Sequence, residues 1–464
     1  MEKVHSDKGE VLIEVSPLID FTGSSEINLK MPCVTTPVHT KKQNTNGKDT
    51  QQELAQRHDF MSKLLQPSAI KVLKDYITWQ RMWRTSYESG VTIDEALKSA
   101  PDYAPISIHV DLTTACNYKC DHCVDMDILN TGIQYDHEKL LNSINSLIAK
   151  GLRSVILIGG GEPTAYPGFG EVVRTLKAKN IQVGIVTNGS MMSKVEDIVD
   201  VLDKNDWIRL SLDSGSNETF RAMHKPGSKK VTLDWICSHI KPIKQKNPEV
   251  QIGYSFIIVW DDCETNNFQI IENLDEMMEA AARAKDSGFD YISFKPFLTR
   301  GEVNNQEIVA LSQDEPTIES VMQKIRSRIE KSKELEDKDF KVVESTNLRV
   351  FENGSYKQYT EQPHNCHMQF FRHVLSPLGV YNCPVYRHVP QALLGGKHSF
   401  ETEQGVQELQ KNALRLIDSF DATEECKEVT CLYNHANWMI EGLIQSPEEL
   451  DVLLSEASGQ DFFL

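Results

Sequence analysis

Short apolar runs alternate with longer amphipathic segments through the middle of the chain. The runs 106–112, 154–158, 182–187, 207–212, 252–259 and 291–295 have the length and composition of buried strands. Apolar positions at helical spacing fill the segments between them: His137 to Lys150, Gly170 to Lys179, Lys194 to Leu202 and Ile270 to Asp286. Six such units between residues 106 and 295 predict a parallel sheet with helical crossovers, in the form of a closed or partly open βα barrel. In barrels of this kind the active site lies at the C-terminal ends of the strands, so the residues just after each strand are the ones to inspect.

The flanking regions read differently. Residues 1–52 are polar and weakly patterned, as in a flexible arm. Residues 53–104 carry Phe60, Leu64, Leu65, Ile70, Leu73, Tyr76 and Ile77 at helical spacing, which predicts a helical extension acting as a structural cap. The core barrel is expected over 105–300. Residues 301–362 read as a linker with a charged helix (Glu315 to Glu336) and a strand around Phe340 to Phe351. Residues 363–464 form a Cys- and His-rich region ending in a helical pattern from Asn434 to Leu454.

The first strand delivers Cys116-Asn117-Tyr118-Lys119-Cys120-Asp121-His122-Cys123. Three cysteines at this spacing fit three corners of a [4Fe–4S] cube and leave one iron without a protein ligand, where four thiolates are usual. A zinc site or a thioredoxin-like pair of Cys120 and Cys123 leaves Cys116 unexplained. Strand two ends in Gly159-Gly160-Gly161-Glu162, where glycines permit close backbone approach and the carboxylate can accept bonds from an ammonium. Strand three ends in the turn Thr187-Asn188-Gly189. Alternation along strand four puts Arg209, Ser211 and Asp213 on one face, and polar groups on a buried strand need partners. Strand five offers Ser255, and strand six ends at Lys295, which can meet an anion, act as a base or pair with a buried carboxylate. Lys295 and Arg209 are the candidates for a catalytic role.

In this register the segments resemble the radical SAM superfamily over residues 105–297. The resemblance implies a partial (β/α)6, TIM-like barrel, a [4Fe–4S] cluster on Cys116, Cys120 and Cys123, and S-adenosylmethionine on the open iron. It implies cofactor contacts from Gly160, Gly161, Glu162, Thr187, Asn188, Ser211 and Asp213, and from His122, which stands where the family usually has an aromatic residue. The implied chemistry is reductive cleavage of S-adenosylmethionine to a 5′-deoxyadenosyl radical that takes hydrogen from a substrate.

Four later cysteines, Cys366, Cys383, Cys426 and Cys431, suit one fully ligated [4Fe–4S] cluster or one zinc ion. Their arrangement resembles the twitch variant of the SPASM extension, which implies a small C-terminal domain with an auxiliary cluster. Two departures stand out: three residues rather than four separate Gly379 from Cys383, and four residues rather than two separate the last pair. His364, His367 or His435 is an alternative ligand. Cys33, Cys237 and Cys263 read as ordinary thiols.

Composition narrows the partners. With 49 basic and 67 acidic residues among 464, the formal charge of −18 opposes binding to nucleic acid or anionic membrane. No apolar run is long enough for a membrane span, and Met1 to Lys8 lacks the apolar core of a secretory signal. A reducing cytoplasm is expected, in which the ten cysteines act as ligands or buried thiols. The leading expectation is a redox enzyme acting on a small polar molecule such as a sugar, aminocyclitol or amino acid derivative, with a flavodoxin or ferredoxin as electron donor. The alternatives are a maturase acting on a ribosomal peptide and a non-enzymatic iron–sulfur or zinc carrier.

Overall fold

The computed structural model describes residues 60–261, 263–265, 268–301, 305–309, 315–352, 354, 356–454 and 461–464. The arm expected over 1–52 lies outside the described residues. The strands are β1 (Ser107–Val110), β2 (Ser154–Leu157), β3 (Gln182–Thr187), β4 (Trp207–Ser211), β5 (Gln251–Ile258), β6 (Glu264–Thr265), β7 (Phe268–Gln269), β8 (Tyr291–Pro296), β9 (Leu298–Arg300), β10 (Glu307–Val309), β11 (Lys341–Glu344), β12 (Arg372–Ser376), β13 (Gly379–Tyr381) and β14 (Leu393–Gly395). One ten-stranded sheet runs in the order β11-β8-β5-β4-β3-β2-β1-β12-β13-β14. The six expected strands are adjacent and parallel in chain order, and the sheet they form is open, with β11 and β14 at its edges.

One face of this sheet is packed by helices. Ile108, Val155, Val183, Ile208, Tyr254 and Ile292 on that face are buried in a single large apolar core. It is closed by the helices His137–Ala149, Phe169–Ala178 and Met277–Ser287. Alternation sends the other residues of each strand to the opposite, interior face. At the N-terminal end of that interior, Trp207 packs with Ile156 and with Leu464 from the C-terminal segment. Gln182 and Ser154 hold this segment in place: Gln182 Nε2 donates to the Asp461 carbonyl at 2.7 Å, and Ser154 Oγ donates to the Phe463 carbonyl at 3.3 Å.

Several elements differ from the sequence expectation. The strand expected over Phe340 to Phe351 is β11 followed by helix Thr346–Glu352. Ser345 ends the strand, its hydroxyl accepting from Leu348 N at 3.2 Å in the manner of an N-cap. The helix expected from Lys194 is a short helix, Met192–Glu196, plus a 3₁₀ turn, Val199–Val201. The one expected from Ile270 begins at Met277, and the terminal pattern breaks after Gln445, just before Pro447.

Both flanking regions join the main body. β11 extends one edge of the sheet, and β12 pairs with β1 in parallel, Ser107 opposite Arg372. The helix Pro67–Glu88 buries Tyr76, Trp79 and Trp83 in a second core, shared with Phe370, Phe371 and Ile440 of the C-terminal region. It begins with proline in its first turn, where the missing N–H costs nothing. Arg84 forms a two-pronged ion pair with Glu441, at 2.7 and 2.8 Å.

Two glycines on the interior face make room for rings. A Cβ at Gly253 would stand 2.1 Å from Tyr291 Cζ, and one at Gly184 would stand 2.6 Å from Trp207. Gly253→Ala is therefore expected to destabilise the protein by about 1–3 kcal/mol through overpacking. Thermal unfolding of the variant measures this, and an unchanged midpoint contradicts the packing described.

Candidate active site

The three-cysteine loop leaves β1 at the C-terminal edge of the sheet and is held from every side. Cys116 N donates to Asn130 Oδ1 at 3.0 Å, and Lys119 N donates to the His224 carbonyl at 3.2 Å. Tyr118 is buried, edge-on to Phe220, and its hydroxyl donates to the Asn188 carbonyl at 3.2 Å. Burial pushes all three thiols up, Cys123 to about 12, and neighbouring cysteines raise Cys120 and Cys123 further. Left alone they are neutral thiols. As thiolates they need a cationic acceptor, which an iron cluster provides.

Glu162, the carboxylate after the glycines, is buried and anchored by four donors. Its Oε1 accepts from Thr164 N (3.1 Å), Thr164 Oγ1 (2.5 Å) and Thr187 Oγ1 (2.5 Å), and its Oε2 accepts from Asn188 N (2.7 Å). Burial nonetheless outweighs these bonds and raises its pKa. Oε2, with one bond, retains lone-pair capacity for an ammonium. The glycines serve packing between loops: a Cβ at Gly161 would stand 2.2 Å from the Ala115 carbonyl, and one at Gly160 would stand 2.8 Å from the Thr113 carbonyl. Glu162 N donates to that same Ala115 carbonyl at 2.9 Å, which presses the β2 loop onto the residue before Cys116. Asn188 completes the link, its Nδ2 donating to Asn117 Oδ1 at 3.1 Å.

Asp213 follows β4 in a left-handed conformation (φ 48°), which aspartate tolerates better than most residues. The turn aims its carboxylate at the cysteine loop. Oδ2 lies 3.3 Å from Nε2 of both His122 and His224, and Oδ1 accepts from Ile257 N at 2.7 Å. Burial alone would raise this carboxyl, but the two imidazoles overcome it and hold the group well below the usual range. His224 Nε2 also faces the Leu212 carbonyl at 3.1 Å, so the proton of the neutral ring belongs on Nε2. Nδ1 then faces Cys120 Sγ at 3.3 Å as an acceptor. His122 is buried edge-on against His224, its Nδ1 without a hydrogen-bond partner among the described residues. Cys120 Sγ and one ring nitrogen from each of His122 and His224 could gather on a cation, but both Nε2 atoms are already directed at Asp213.

The second set of cysteines also converges. Burial raises all four thiols, Cys383 to about 12, and the repulsion that Cys426 feels comes from Cys366, Cys431 and Cys383 together. N–H groups point at two sulfurs: Asn437 Nδ2 at Cys366 (3.6 Å) and Tyr433 N at Cys431 (3.4 Å). Bonds of this type tune iron–sulfur thiolates. Of the histidines considered as substitutes, His367 has both nitrogens engaged, with Tyr76 at 2.8 Å and Glu441 at 2.9 Å. His364 pairs with Asp421 at 3.2 Å, and His435 lies edge-on to Tyr359.

Between the two sets lies a buried ion network that carries no sequence motif. Arg387 Nη1 contacts Asp111 at 3.2 Å, its Nε contacts Asp125 at 3.5 Å and its Nη2 contacts Glu307 at 3.6 Å. His388 pairs with Asp111 at 3.2 Å and Asp125 at 3.6 Å, and Arg300 adds Asp125 at 3.7 Å. Although burial works against it, the carboxylates raise the His388 pKa. Ser211, Ser255 and Lys295 line the interior beside Arg209, whose guanidinium lies over the Trp207 ring.

Residues 110–306 match the family model described as the Radical SAM superfamily. The chain carries a radical SAM domain, and domains of this superfamily use a [4Fe–4S] cluster with S-adenosylmethionine. The chain is 30% identical over 113 residues to an S-adenosylmethionine-dependent nucleotide dehydratase of a Thermoplasmatales archaeon (strain ISO4-H5), covering 23% of this chain and 38% of that protein. It is 31% identical over 130 residues to the mycofactocin maturase MftC of Mycobacterium tuberculosis, covering 27% of this chain and 32% of the relative. The chain thus spans well under half the length of these relatives. Among solved structures, Streptococcus suis SuiB superposes with a TM-score of 0.47 at 13% identity, over 66% of this chain and 65% of SuiB. Among the described residues no helix is long and apolar enough to cross a membrane.

Arg387→Met would leave three buried carboxylates around Arg300 and His388, which costs about 3–5 kcal/mol. Arg387→Lys is expected to recover only part of the loss, because an ammonium cannot span three carboxylates as the planar guanidinium does. Denaturation midpoints of both variants check this, and a midpoint for Arg387→Met equal to the parent's contradicts it.

Proposed function

We propose that the protein is a radical SAM oxidoreductase acting on a small polar substrate, in a dehydrogenation or related redox step. The observation that carries this reading is the convergence of the strand ends on one loop: Glu162 after β2, Thr187 and Asn188 at the end of β3, and Asp213 after β4 all bond to or around the segment bearing Cys116, Cys120 and Cys123. These cysteines would hold a [4Fe–4S] cluster, and Glu162 would accept from the amino group of S-adenosylmethionine, with Ser211 and Asp213 toward its ribose and carboxylate. When bound, the pair supplies reductive cleavage to a 5′-deoxyadenosyl radical. The chain binds and orients the cofactor and keeps the radical from solvent, by packing the far end of the interior with Trp207, Ile156 and Leu464.

Cys366, Cys383, Cys426 and Cys431 would hold an auxiliary cluster of the twitch type, and residues 363–464 would be the corresponding module. A flavodoxin or ferredoxin would reduce the protein in the cytoplasm. A second reading, maturation of a ribosomal peptide, draws support from the similarity to mycofactocin maturase. The similarity to a nucleotide dehydratase favours a small-molecule substrate over it.

Reconstituted and reduced protein is expected to release 5′-deoxyadenosine from S-adenosylmethionine, and Cys116→Ala to abolish that release. Absence of 5′-deoxyadenosine from fully reduced wild type contradicts the radical reading. Iron analysis is expected to give about 8 atoms per chain for wild type and about 4 when Cys116, Cys120 and Cys123 are all replaced by Ala. A triple variant with no iron overturns the auxiliary cluster.

A further inference from the structure

Lys295 is a charged interior group with no role in the arrangement above. It stands at the end of β8, half-buried, on the interior face shared by Ser293 on its own strand and by Ser255 and Ile257 on β5. Its Nζ donates to Ser255 Oγ at 3.0 Å, and among the described residues it has no ion-pair partner. Ser211, Ser255 and Ser293 form a row in register across β4, β5 and β8, and the middle one, Ser255, contacts this ammonium.

The surroundings are positive. Burial drives the Lys295 amine well below its usual value, Arg209 pushes it further, and only Asp213 opposes them. The carboxylate of Asp213 is already engaged by His122, His224 and Ile257 N. His109, on the same interior, is depressed by burial and then by Arg372, Arg387 and Arg209. Apart from Asp213, the charges that act on Lys295 and His109 are thus those of Arg209, Arg372 and Arg387. A largely desolvated ammonium whose one partner among the described residues is a hydroxyl is costly, and a bound anion offsets that cost. The position is also close to the reactive end: Ile257, the register partner of Lys295, donates to the Asp213 carboxylate, which in turn contacts His122 of the cysteine loop.

We propose that Lys295, with the hydroxyls of Ser255 and Ser293 and the nearby Arg209, binds an anionic group of the substrate, a phosphate or a carboxylate. Assigning that anion to the substrate rests on the radical SAM reading, whereas the anion site itself does not. Hydroxyls donate to the anion's remaining oxygens while the ammonium supplies charge, as at other small oxyanion sites.

The test uses the reconstituted full-length protein saturated with S-adenosylmethionine, titrated calorimetrically with pyrophosphate and, separately, with malonate. At least one anion is expected to bind wild type at one equivalent, and Lys295→Met to weaken it by about 10- to 100-fold, the size of one charged hydrogen bond. Binding of pyrophosphate alone assigns a phosphate, and binding of malonate alone assigns a carboxylate. Lys295→Arg keeps the charge and is expected to retain binding, which guards against a misfolded Met variant. The proposal is overturned if neither anion binds wild type, if Lys295→Met binds the anion as tightly as wild type, or if the variant loses affinity for S-adenosylmethionine and not for the anion. Formation of 5′-deoxyadenosine in the same preparation reports separately on the radical reading.

Discussion

The guanidinium of Arg387 is the contact on which the arrangement of the two cysteine sets depends. It belongs to the segment just after Cys383, yet its partners are Asp111 at the end of β1, Asp125 two residues beyond Cys123, and Glu307 on β10. Burial makes such a cluster stringent. Each charge is costly out of water and is tolerated only while its counter-charges stay in place, so the loops that carry them cannot drift independently. Arg300 reinforces the tie by donating to the Val124 carbonyl from β9. If both sets carry clusters, this network sets their separation.

The parallel sheet explains why the remaining groups meet where they do. Every strand of the central six delivers its C-terminal end to one side, so residues far apart in sequence face a common space without long loops. Glycines at 184 and 253 admit the rings of Trp207 and Tyr291 to the interior, and the C-terminal segment covers the N-terminal end, leaving the cysteine side as the chemically active one. A surface hollow lined by Lys241, Lys244, Lys285 and Lys341 lies at the opposite ends of the strands and has no part in this site.

Much of this was legible locally. The six central strands follow from short runs rich in apolar residues, because the face of each strand that packs on helices must be apolar at every second position. The loop of Cys116, Cys120 and Cys123 and the carboxylate of Glu162 stand in contiguous motifs, and their contacts run through neighbouring strand ends. What escaped depends on long-range pairing. β12 joins β1 across more than two hundred residues, and nothing in Arg372 to Ser376 indicates that neighbour. The Arg387 network is built from single charged residues in separate segments without a motif. One signal was present: alternation from His109 puts Asp111 on the interior face, and a buried carboxylate there requires a cationic partner. The strand expected over Phe340 to Phe351 ends at Glu344, because Ser345 caps the helix Thr346–Glu352.

The central claim is that one iron of the three-cysteine cluster is open and is taken by S-adenosylmethionine. Low-temperature electron paramagnetic resonance of the reduced, reconstituted protein tests this directly. The account predicts two reduced [4Fe–4S] signals, one of which shifts its g-values when S-adenosylmethionine is added and disappears in a Cys120→Ala variant. A spectrum that S-adenosylmethionine leaves unchanged contradicts it.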